Sequence, residues 1–319
     1  MNFAVWQSAF TLFLSLLVES FPFLLLGVLL SSTLLLFIDE GKLTRILPKH
    51  PLWGAIVGSL IGFLFPVCEC GNVPVARRLI MQGIPPSVCI AFLLAAPTLN
   101  PVVIWATWTA FRDQPEVVLW RVGLSFGIAT AIAWIFSVQQ DLRPFLHPAV
   151  SRSLFIPAPD GLSGTYFLGE SQPLALTDWG VRRRQNRWAL FWDNTVGELR
   201  ELGGVLVLGS ALAAIIQVIV PREIILELGQ GPVSSIVAMM TLAGVVSICS
   251  TVDAFFALSF ASTFTTGSLL AFLVFGPMID LKAIGLLLTL FRRRAIIYLF
   301  LLAGQMTFLA AMFINLRLS

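Results

Sequence analysis

The chain has 319 residues, of which 57% are hydrophobic and 12% are charged, and its mean hydropathy is +0.90. Soluble domains carry about 25% charged residues, so this composition excludes a disordered chain, a nucleic-acid-binding protein and an ordinary soluble enzyme. The net charge of +3 is too small to indicate an electrostatic partner. The sequence therefore predicts an all-α polytopic membrane protein whose surroundings are the lipid bilayer.

Nine apolar segments follow one another along the chain. They are 3–38, 51–66, 84–111, 117–138, 196–220, 232–248, 254–266, 268–291 and 295–316. A spanning helix needs about 20 apolar residues, and several segments are shorter or are interrupted by proline. The pattern fits three full spans plus one re-entrant hairpin in each half of the chain, or five crossings in each half if the hairpins cross fully.

A polar segment, 139–190, separates the two apolar halves. It contains five prolines and six Lys and Arg residues. Basic loops stay on the cytoplasmic side of a membrane, so this segment is interpreted as a cytoplasmic linker between membrane repeat 1 (1–138) and membrane repeat 2 (191–319). The expected location is the inner membrane of the cell.

The two halves resemble each other. An offset of 180 or 181 residues superimposes Pro97 on Pro277, Asn100 on Asp280, Cys68 on Cys249 and Asn72 on Asp253. Equivalent loops of the two halves differ in basic charge. The loop 39–50 is basic, whereas its equivalent 221–231 is not. The run 292–294 is basic, whereas the two arginines of its equivalent, 112–121, are balanced by acids. These features predict two inverted repeats with both chain ends outside, although two leucine-rich halves can also match by chance.

Polar and proline residues interrupt the apolar segments at four places. The predicted breaks are Cys68–Pro74, Pro97–Pro101, Cys249–Asp253 and Gly276–Asp280. Non-helical backbone at this depth is tolerated only where it is buried in protein or lines a cavity, and broken helices of inverted-repeat transporters form the substrate site. The simpler interpretation of each break is a structural kink filled by neighbouring helices.

Ten residues at these breaks form the predicted substrate-binding set: Cys68, Glu69, Cys70, Asn72, Asn100, Cys249, Ser250, Thr251, Asp253 and Asp280. Thiolates suit soft cations and thiophilic species, so Cys68, Cys70 and Cys249 are candidate ligands of a soft metal or a trivalent arsenical. Buried cysteines are also common as small packing residues, which is the expected role of Cys89.

The acids and arginines near the breaks have alternative interpretations. Asp253 and Asp280 stand opposite amides in the repeat, so they could carry a coupling proton or cation, or they could cap adjacent half-helices. Arg77 and Arg78 could attract an anionic cargo, pair with Glu69, or extend to the membrane interface.

Catalytic and nucleotide-binding motifs are absent from the sequence. It contains no G-x-S-x-G, H-E-x-x-H or Walker A pattern, and both histidines lie in polar loops. We therefore expect no enzyme activity, no cofactor and no ATP hydrolysis by this chain alone.

The motifs resemble those of a known permease family. The runs Cys68-Glu69-Cys70-Gly71-Asn72-Val73-Pro74 and Pro97-Thr98-Leu99-Asn100-Pro101 are similar to its C-x-C-G-x-x-P and P-x-x-N-P patterns, and Cys249–Ala254 is similar to its second-half motif. This is the predicted permease family that includes YraQ-like proteins and the ArsP organoarsenical efflux permeases. The resemblance implies a plasma-membrane permease, with organoarsenical efflux as the best-known activity and Cys68, Cys70 and Cys249 as candidate contacts.

The leading hypothesis is a secondary transporter that exports a small thiophilic solute by alternating access, with possible proton coupling. The alternatives are an ion-conducting channel, and a membrane redox protein or a subunit of a larger complex. The expected partner is a small-molecule or ion substrate, and an oligomer is compatible with the sequence.

Overall fold

The computed structural model describes residues 3–37, 50–65, 67–138, 145–146, 187–219 and 231–318. Within these ranges the chain is helical, and one isolated β-bridge joins Leu146 to Phe291. The predicted linker, 139–190, lies almost wholly outside the described residues, as do most of the loops 39–50 and 221–231.

Twelve helices form the described part of the chain. In chain order they are α1 (Phe3–Phe37), α2 (Pro51–Leu64), α3 (Glu69–Met81), α4 (Pro86–Leu99), α5 (Pro101–Ala110), α6 (Pro115–Val138), α7 (Arg187–Ile219), α8 (Pro232–Val246), α9 (Asp253–Leu258), α10 (Thr266–Met278), α11 (Leu281–Leu287) and α12 (Arg293–Leu318).

The prediction of an all-α polytopic membrane protein is confirmed. Six helical stretches are long and apolar enough to cross a bilayer: α1, α4 with α5, α6, α7, α10 with α11, and α12. The shorter apolar helices α2 and α8 are not long enough. This count matches three spans in each half.

The helices of residues 1–138 run alternately between two ends of the bundle. Because α6 ends and α7 begins beside the predicted linker, we name this end the linker end and the opposite one the far end. Helix α1 runs to the linker end, since Ser32 contacts Asn194 near the start of α7, while Leu16 packs with Ala213. Helix α3 runs the same way, and its last turn reaches Leu34 through Gln82.

Helices α7–α12 show the same order of long and short helices as α1–α6, but they cross the bundle in the opposite direction. The backbone N–H of Arg292, just before α12, donates to Phe145 O at 2.7 Å at the linker end. The other end of α12 places Asn315 against Gly267, at the start of α10. Helix α1 thus begins and α12 ends at the far end, as inverted repeats require; the inverted relation itself remains a prediction.

Exposed tryptophans form two groups near the two ends. Trp6, Trp105, Trp108 and Trp120 lie toward the far end, and Trp53, Trp134, Trp188 and Trp192 lie toward the linker end. Tryptophan is enriched where membrane meets water, so the two groups fit a bilayer between them. The most buried spans are α4 with α5 (83%) and α10 with α11 (78%), which contact each other at the centre.

The helix breaks are narrower than the sequence predicts. Helix α3 begins at Glu69 and continues through Pro74, so the predicted break Cys68–Pro74 is wrong beyond its first residue. Pro74 is the sixth residue of α3, so its missing N–H removes one intrahelical hydrogen bond, and the helix continues through it.

The proline-containing breaks are corrected in the same way. Helix α4 passes Pro97 and ends at Leu99, and α10 passes Pro277 and ends at Met278. The break before Asp253 is present, because α8 ends at Val246 and Ser247 adopts a left-handed backbone with φ 48°.

Candidate functional site

Two thiols and a carboxyl group meet where the two halves of the chain touch. Cys68, Glu69 and Cys249 each offer a ligand atom, and these atoms lie within 4.8 Å of one another. All three side chains are buried. Cys68 and Glu69 come from the first half and Cys249 from the second, so the cluster exists only when the halves are together. We name Cys68, Glu69 and Cys249 the thiol cluster.

Local backbone structure positions the thiol cluster. Cys68 occupies the N-cap position of α3, and its carbonyl accepts hydrogen bonds from Gly71 N and Asn72 N at 3.0 and 3.1 Å. Glu69 then lies in the first helical turn, where a negative charge is favourable. Cys249 lies in the non-helical segment between α8 and α9, and the Thr251 hydroxyl donates to its sulfur at 3.5 Å.

A buried lysine interacts electrostatically with the acids around this cluster. Lys282, on α11, is 1% exposed, and its ammonium group donates to the Ser20 hydroxyl at 3.5 Å. Its charge interacts with Asp280, Cys70 and Glu69. An unpaired charge inside a membrane protein is unfavourable by several kcal/mol, so Lys282 explains how the acids are tolerated here. Lys282 is not among the residues predicted from the sequence, although a lysine two residues after Asp280 in an apolar segment is a visible signal.

Asn100 and Asp280 cap the half-helices that follow them. The Asn100 side chain accepts from Val102 N at 2.9 Å, and the Asp280 carboxylate accepts from Ala283 N at 2.5 Å. The Asp280 contact agrees with its capping interpretation, and Asn100 has the equivalent role in the first half. Asp253 does not cap a helix, because it is the first residue of α9 and Val252 occupies the N-cap position. Asp280 also interacts electrostatically with Lys282.

A small cavity of about 20 Å³ lies beside the thiol cluster. This is room for about one water molecule. Glu69 and Asn72 are its polar lining, and the other lining residues are apolar, such as Met278. Asn72 donates to Leu93 O at 3.0 Å, while Glu69 Oε2 is buried without a hydrogen-bond partner among the described residues. Glu69 therefore lines a space that can hold a water molecule, and one of its carboxyl oxygens is left without a partner among the described residues.

Asp253 pairs with an arginine that the sequence analysis assigned to a loop. Arg121 lies inside α6 and is 1% exposed. Its guanidinium donates to both Asp253 oxygens, at 3.0 and 2.6 Å, and to the Thr107 hydroxyl at 2.7 Å. The polar run that precedes α6 made Arg121 look like part of that loop. This pair joins the two halves on the far-end side of the thiol cluster.

Arg77 pairs with the second half on the opposite side. Its guanidinium donates to Glu201 Oε2, on α7, at 3.0 Å, so of the alternatives considered for Arg77 the pairing with Glu69 is wrong. Arg77 and Arg78 also interact electrostatically with Glu198. Two ion pairs, one toward each end, thus connect residues 1–138 to residues 191–319.

The remaining predicted residues are buried near the cluster. Cys70 lies on the Lys282 side, and Ser250 lies beside Cys249, its hydroxyl without a hydrogen-bond partner among the described residues. Cys89 is fully buried in α4, as its expected packing role requires. The structure thus brings Cys68, Glu69, Cys70, Cys249 and Asp280 around one centre, and it separates Asn100 and Asp253 into contacts of their own.

A bundle of membrane-spanning helices with buried thiol, carboxyl and ammonium groups at its centre is typical of a membrane transport protein. Comparison with known proteins gives the same class. The chain belongs to the predicted permease family ArsP_1, which it matches over residues 5–316. It is therefore a multi-pass membrane permease, and the family resemblance noted from its motifs is confirmed.

Three relatives support this assignment. The chain is 38% identical to UPF0718 protein YcgR of Bacillus subtilis over 297 residues, covering 92% of this chain and 93% of the relative. It is 30% identical to a putative two-component membrane permease complex subunit of Streptococcus mutans, covering 90% and 88%. It is 24% identical to UPF0718 protein YraQ of Escherichia coli, covering 65% and 53%. No solved structure matches the chain.

Proposed function

We propose that this permease exports a small thiophilic solute, a trivalent organoarsenical or a soft metal-like species, by secondary-active alternating access. The observation that carries the proposal is the thiol cluster, in which Cys68 and Cys249 from different halves lie within 4.8 Å of each other and of Glu69. Soft thiolate ligands favour soft cargo over the hard cations that oxygen ligands prefer.

The chemistry of the cluster fits a species that bonds to two sulfurs. A trivalent monoalkyl arsenical with two hydroxyl groups forms two As–S bonds with two thiols. The two thiol protons leave with the two hydroxyl groups as two water molecules, and arsenic keeps its oxidation state. The Glu69 carboxylate can accept a thiol proton during this exchange, because its Oε2 is unpartnered among the described residues.

The position of the cluster suits alternating access. Its ligands belong to both halves, so a bound solute stabilises the state in which the halves are closed around it. Movement of one half relative to the other then separates Cys68 from Cys249 and weakens the binding. The ion pairs Arg121–Asp253 and Arg77–Glu201 lie on opposite sides of the cluster, and breaking one of them at a time would open one side at a time.

A second candidate is transport as part of a complex. The Streptococcus mutans relative is named as a subunit of a two-component membrane permease complex. On this proposal, a second protein supplies energy or delivers the cargo, and the thiol cluster keeps its role. Purification of this chain with its membrane partners, followed by transport assays with and without them, separates the two candidates.

Everted membrane vesicles test the cargo directly. Vesicles containing the native protein should accumulate a trivalent methylarsenical or a soft cation such as Ag⁺, whereas Cys68→Ser and Cys249→Ser should each lower the apparent affinity by more than about tenfold. Serine removes the soft ligand and keeps the size of the side chain.

Cys89→Ser is the matched control, because Cys89 is equally buried but lies on the apolar helix α4. It should transport at the native rate. Equal transport by all three serine variants at native protein levels, or no accumulation of any thiophilic solute by the native protein, would contradict the proposal.

A further inference from the structure

The seam between α1 and α7 changes character along its length. Toward the far end it is apolar, with Leu12, Phe13 and Leu16 packed against Ala213 and Ala214. Between the thiol cluster and the linker end the same two helices face each other with polar side chains. Both parts of the seam are buried, so burial alone does not explain why the part near the linker end is polar.

Six buried or partly buried polar residues form the linker-end part of the seam. We name them the linker-end cluster: Ser31, Ser32, Gln82, Asn194, Thr195 and Glu198. The Ser32 hydroxyl accepts from Asn194 Nδ2 and from the Thr195 hydroxyl, both at 2.9 Å. The Ser31 hydroxyl donates to Glu198 Oε1 at 3.2 Å.

Three side-chain acceptors of the linker-end cluster lack a hydrogen-bond partner in the described part of the chain, although Arg77 and Arg78 interact electrostatically with Glu198. Glu198 Oε2, Asn194 Oδ1 and Gln82 Oε1 are buried and have no hydrogen-bond partner among the described residues. A buried acceptor left in this state is unfavourable by about 1–3 kcal/mol, whereas a water molecule satisfies two to four such groups. A polar contact that served only helix packing would pair its own atoms. These unpartnered acceptors therefore indicate that water or a hydrated solute reaches this part of the seam.

A closed layer separates the linker-end cluster from the centre. Arg77 and Glu201 form its polar side. Behind them α1 and α3 touch at Gly27, where an added Cβ would collide with Gly71 O, and Leu24 of α1 and Leu202 of α7 are fully buried. Beyond this layer lie the groups of the central site. Gly209 of α7 lies against Lys282, since an added Cβ there would be 3.6 Å from Lys282 Cα. The path along α7 from Asn194 to Gly209 is about 22 Å, at about 1.5 Å per residue.

We propose that the polar half of the α1–α7 seam is the route by which a small hydrophilic solute passes between the linker end and the thiol cluster, with the Arg77–Glu201 ion pair as its gate. This inference rests on the proposed transport function but not on the identity of the cargo. The route is closed in this structure at the gate, and the Gly27–Gly71 contact between α1 and α3 forms the wall beside it. Its polar walls begin at the linker end and give way to apolar side chains past the central site.

Cysteine accessibility in membrane vesicles tests the route. Ser32→Cys and Thr195→Cys place a thiol in the linker-end cluster with little change in size. A charged, membrane-impermeant thiol reagent added at the linker face should label both, and mass spectrometry should locate the label and separate it from the native cysteines. The same reagent added at the far face should leave them unlabelled.

The matched controls are Leu16→Cys and Ala213→Cys, which are equally buried in the apolar half of the same seam. They should remain unlabelled from either face. Ser163→Cys, in the linker, reports which face the reagent reaches. Labelling of Ser32→Cys and Thr195→Cys no faster than the controls, or equally fast from both faces, would show that the linker-end cluster only holds the helices together.

The gate is tested by a thiol on its inner side. In Ser20→Cys, the new thiol lies next to Lys282 and beyond the ion pair. Adding Glu201→Gln should raise its labelling rate from the linker face, on the order of fivefold for a partly exposed pair, and should leave the rate at Ser32→Cys unchanged. An unchanged rate at Ser20→Cys would overturn the gate. Because labelling needs no cargo, these results stand apart from a failure to transport arsenicals or soft metals.

Discussion

The Arg121–Asp253 pair gives the sharpest prediction about how the two halves are held together. Its two partners are 1% and 2% exposed, and the guanidinium makes two bonds to the carboxylate and one to Thr107. Removing one partner leaves the other charge buried and unpaired, which destabilises a protein by about 3–5 kcal/mol. Removing both charges avoids that penalty and is often close to neutral.

We therefore expect Arg121→Met and Asp253→Asn each to lower the free energy of unfolding by about 3–5 kcal/mol. The double variant should be no less stable than either single variant, which gives a coupling energy of about 3 kcal/mol or more. Denaturant unfolding in mixed detergent–lipid micelles measures all four proteins. Arg112→Met is the control, because Arg112 is exposed in the turn before α6, and its effect should stay within about 0.5 kcal/mol.

Additive losses in the double variant would refute this account, because they would mean that the two charges do not depend on each other. Single variants as stable as the control would refute it as well. A coupling energy of the expected size, together with impaired transport, would show that the pair acts as the closed contact on the far-end side of the thiol cluster.

Two further predictions concern the centre of the molecule. Gly27→Ala should destabilise the protein by more than about 1–3 kcal/mol, since the new Cβ would lie 2.2 Å from Gly71 O. Gly203→Ala, whose new Cβ would have no atom within 4 Å, should be neutral or stabilising by up to about 1 kcal/mol. The same unfolding measurement compares the two variants, and equal effects would show that α1 and α3 are not in close contact. Lys282→Met should destabilise the protein by about 3–5 kcal/mol, because Asp280 and its neighbours lose the cation that interacts with them. An unchanged unfolding free energy would mean that these acids are neutral in the folded protein.

The membrane class follows from the chain alone, because the free energy of inserting apolar residues depends on local composition. The sequence also shows that cysteines lie near the predicted helix breaks. It shows too that helical structure is interrupted near Asn100 and Asp280, because a capping side chain and a nearby proline act within a few residues. The structure agrees with these local predictions and corrects the extent of each break by a few residues.

The partners of the charged residues depended on the tertiary structure. Asp253 pairs with Arg121, 132 residues away, and Arg77 pairs with Glu201, 124 residues away. Each sequence segment shows only that a buried charge needs a partner, and several partners of opposite charge were available. Which ones meet is decided by helix packing, because an ion pair forms only where two backbones bring the side chains within about 4 Å.

The thiol cluster combines both kinds of information. The spacing of Cys68 and Cys249 within matching halves was visible in the sequence, but their approach to one another was not. Thiols 181 positions apart come together only when the two halves pack face to face around α4 and α10. The local sequence therefore determines which groups are buried in this permease, and the packing of the helices determines which of them can act together on a solute.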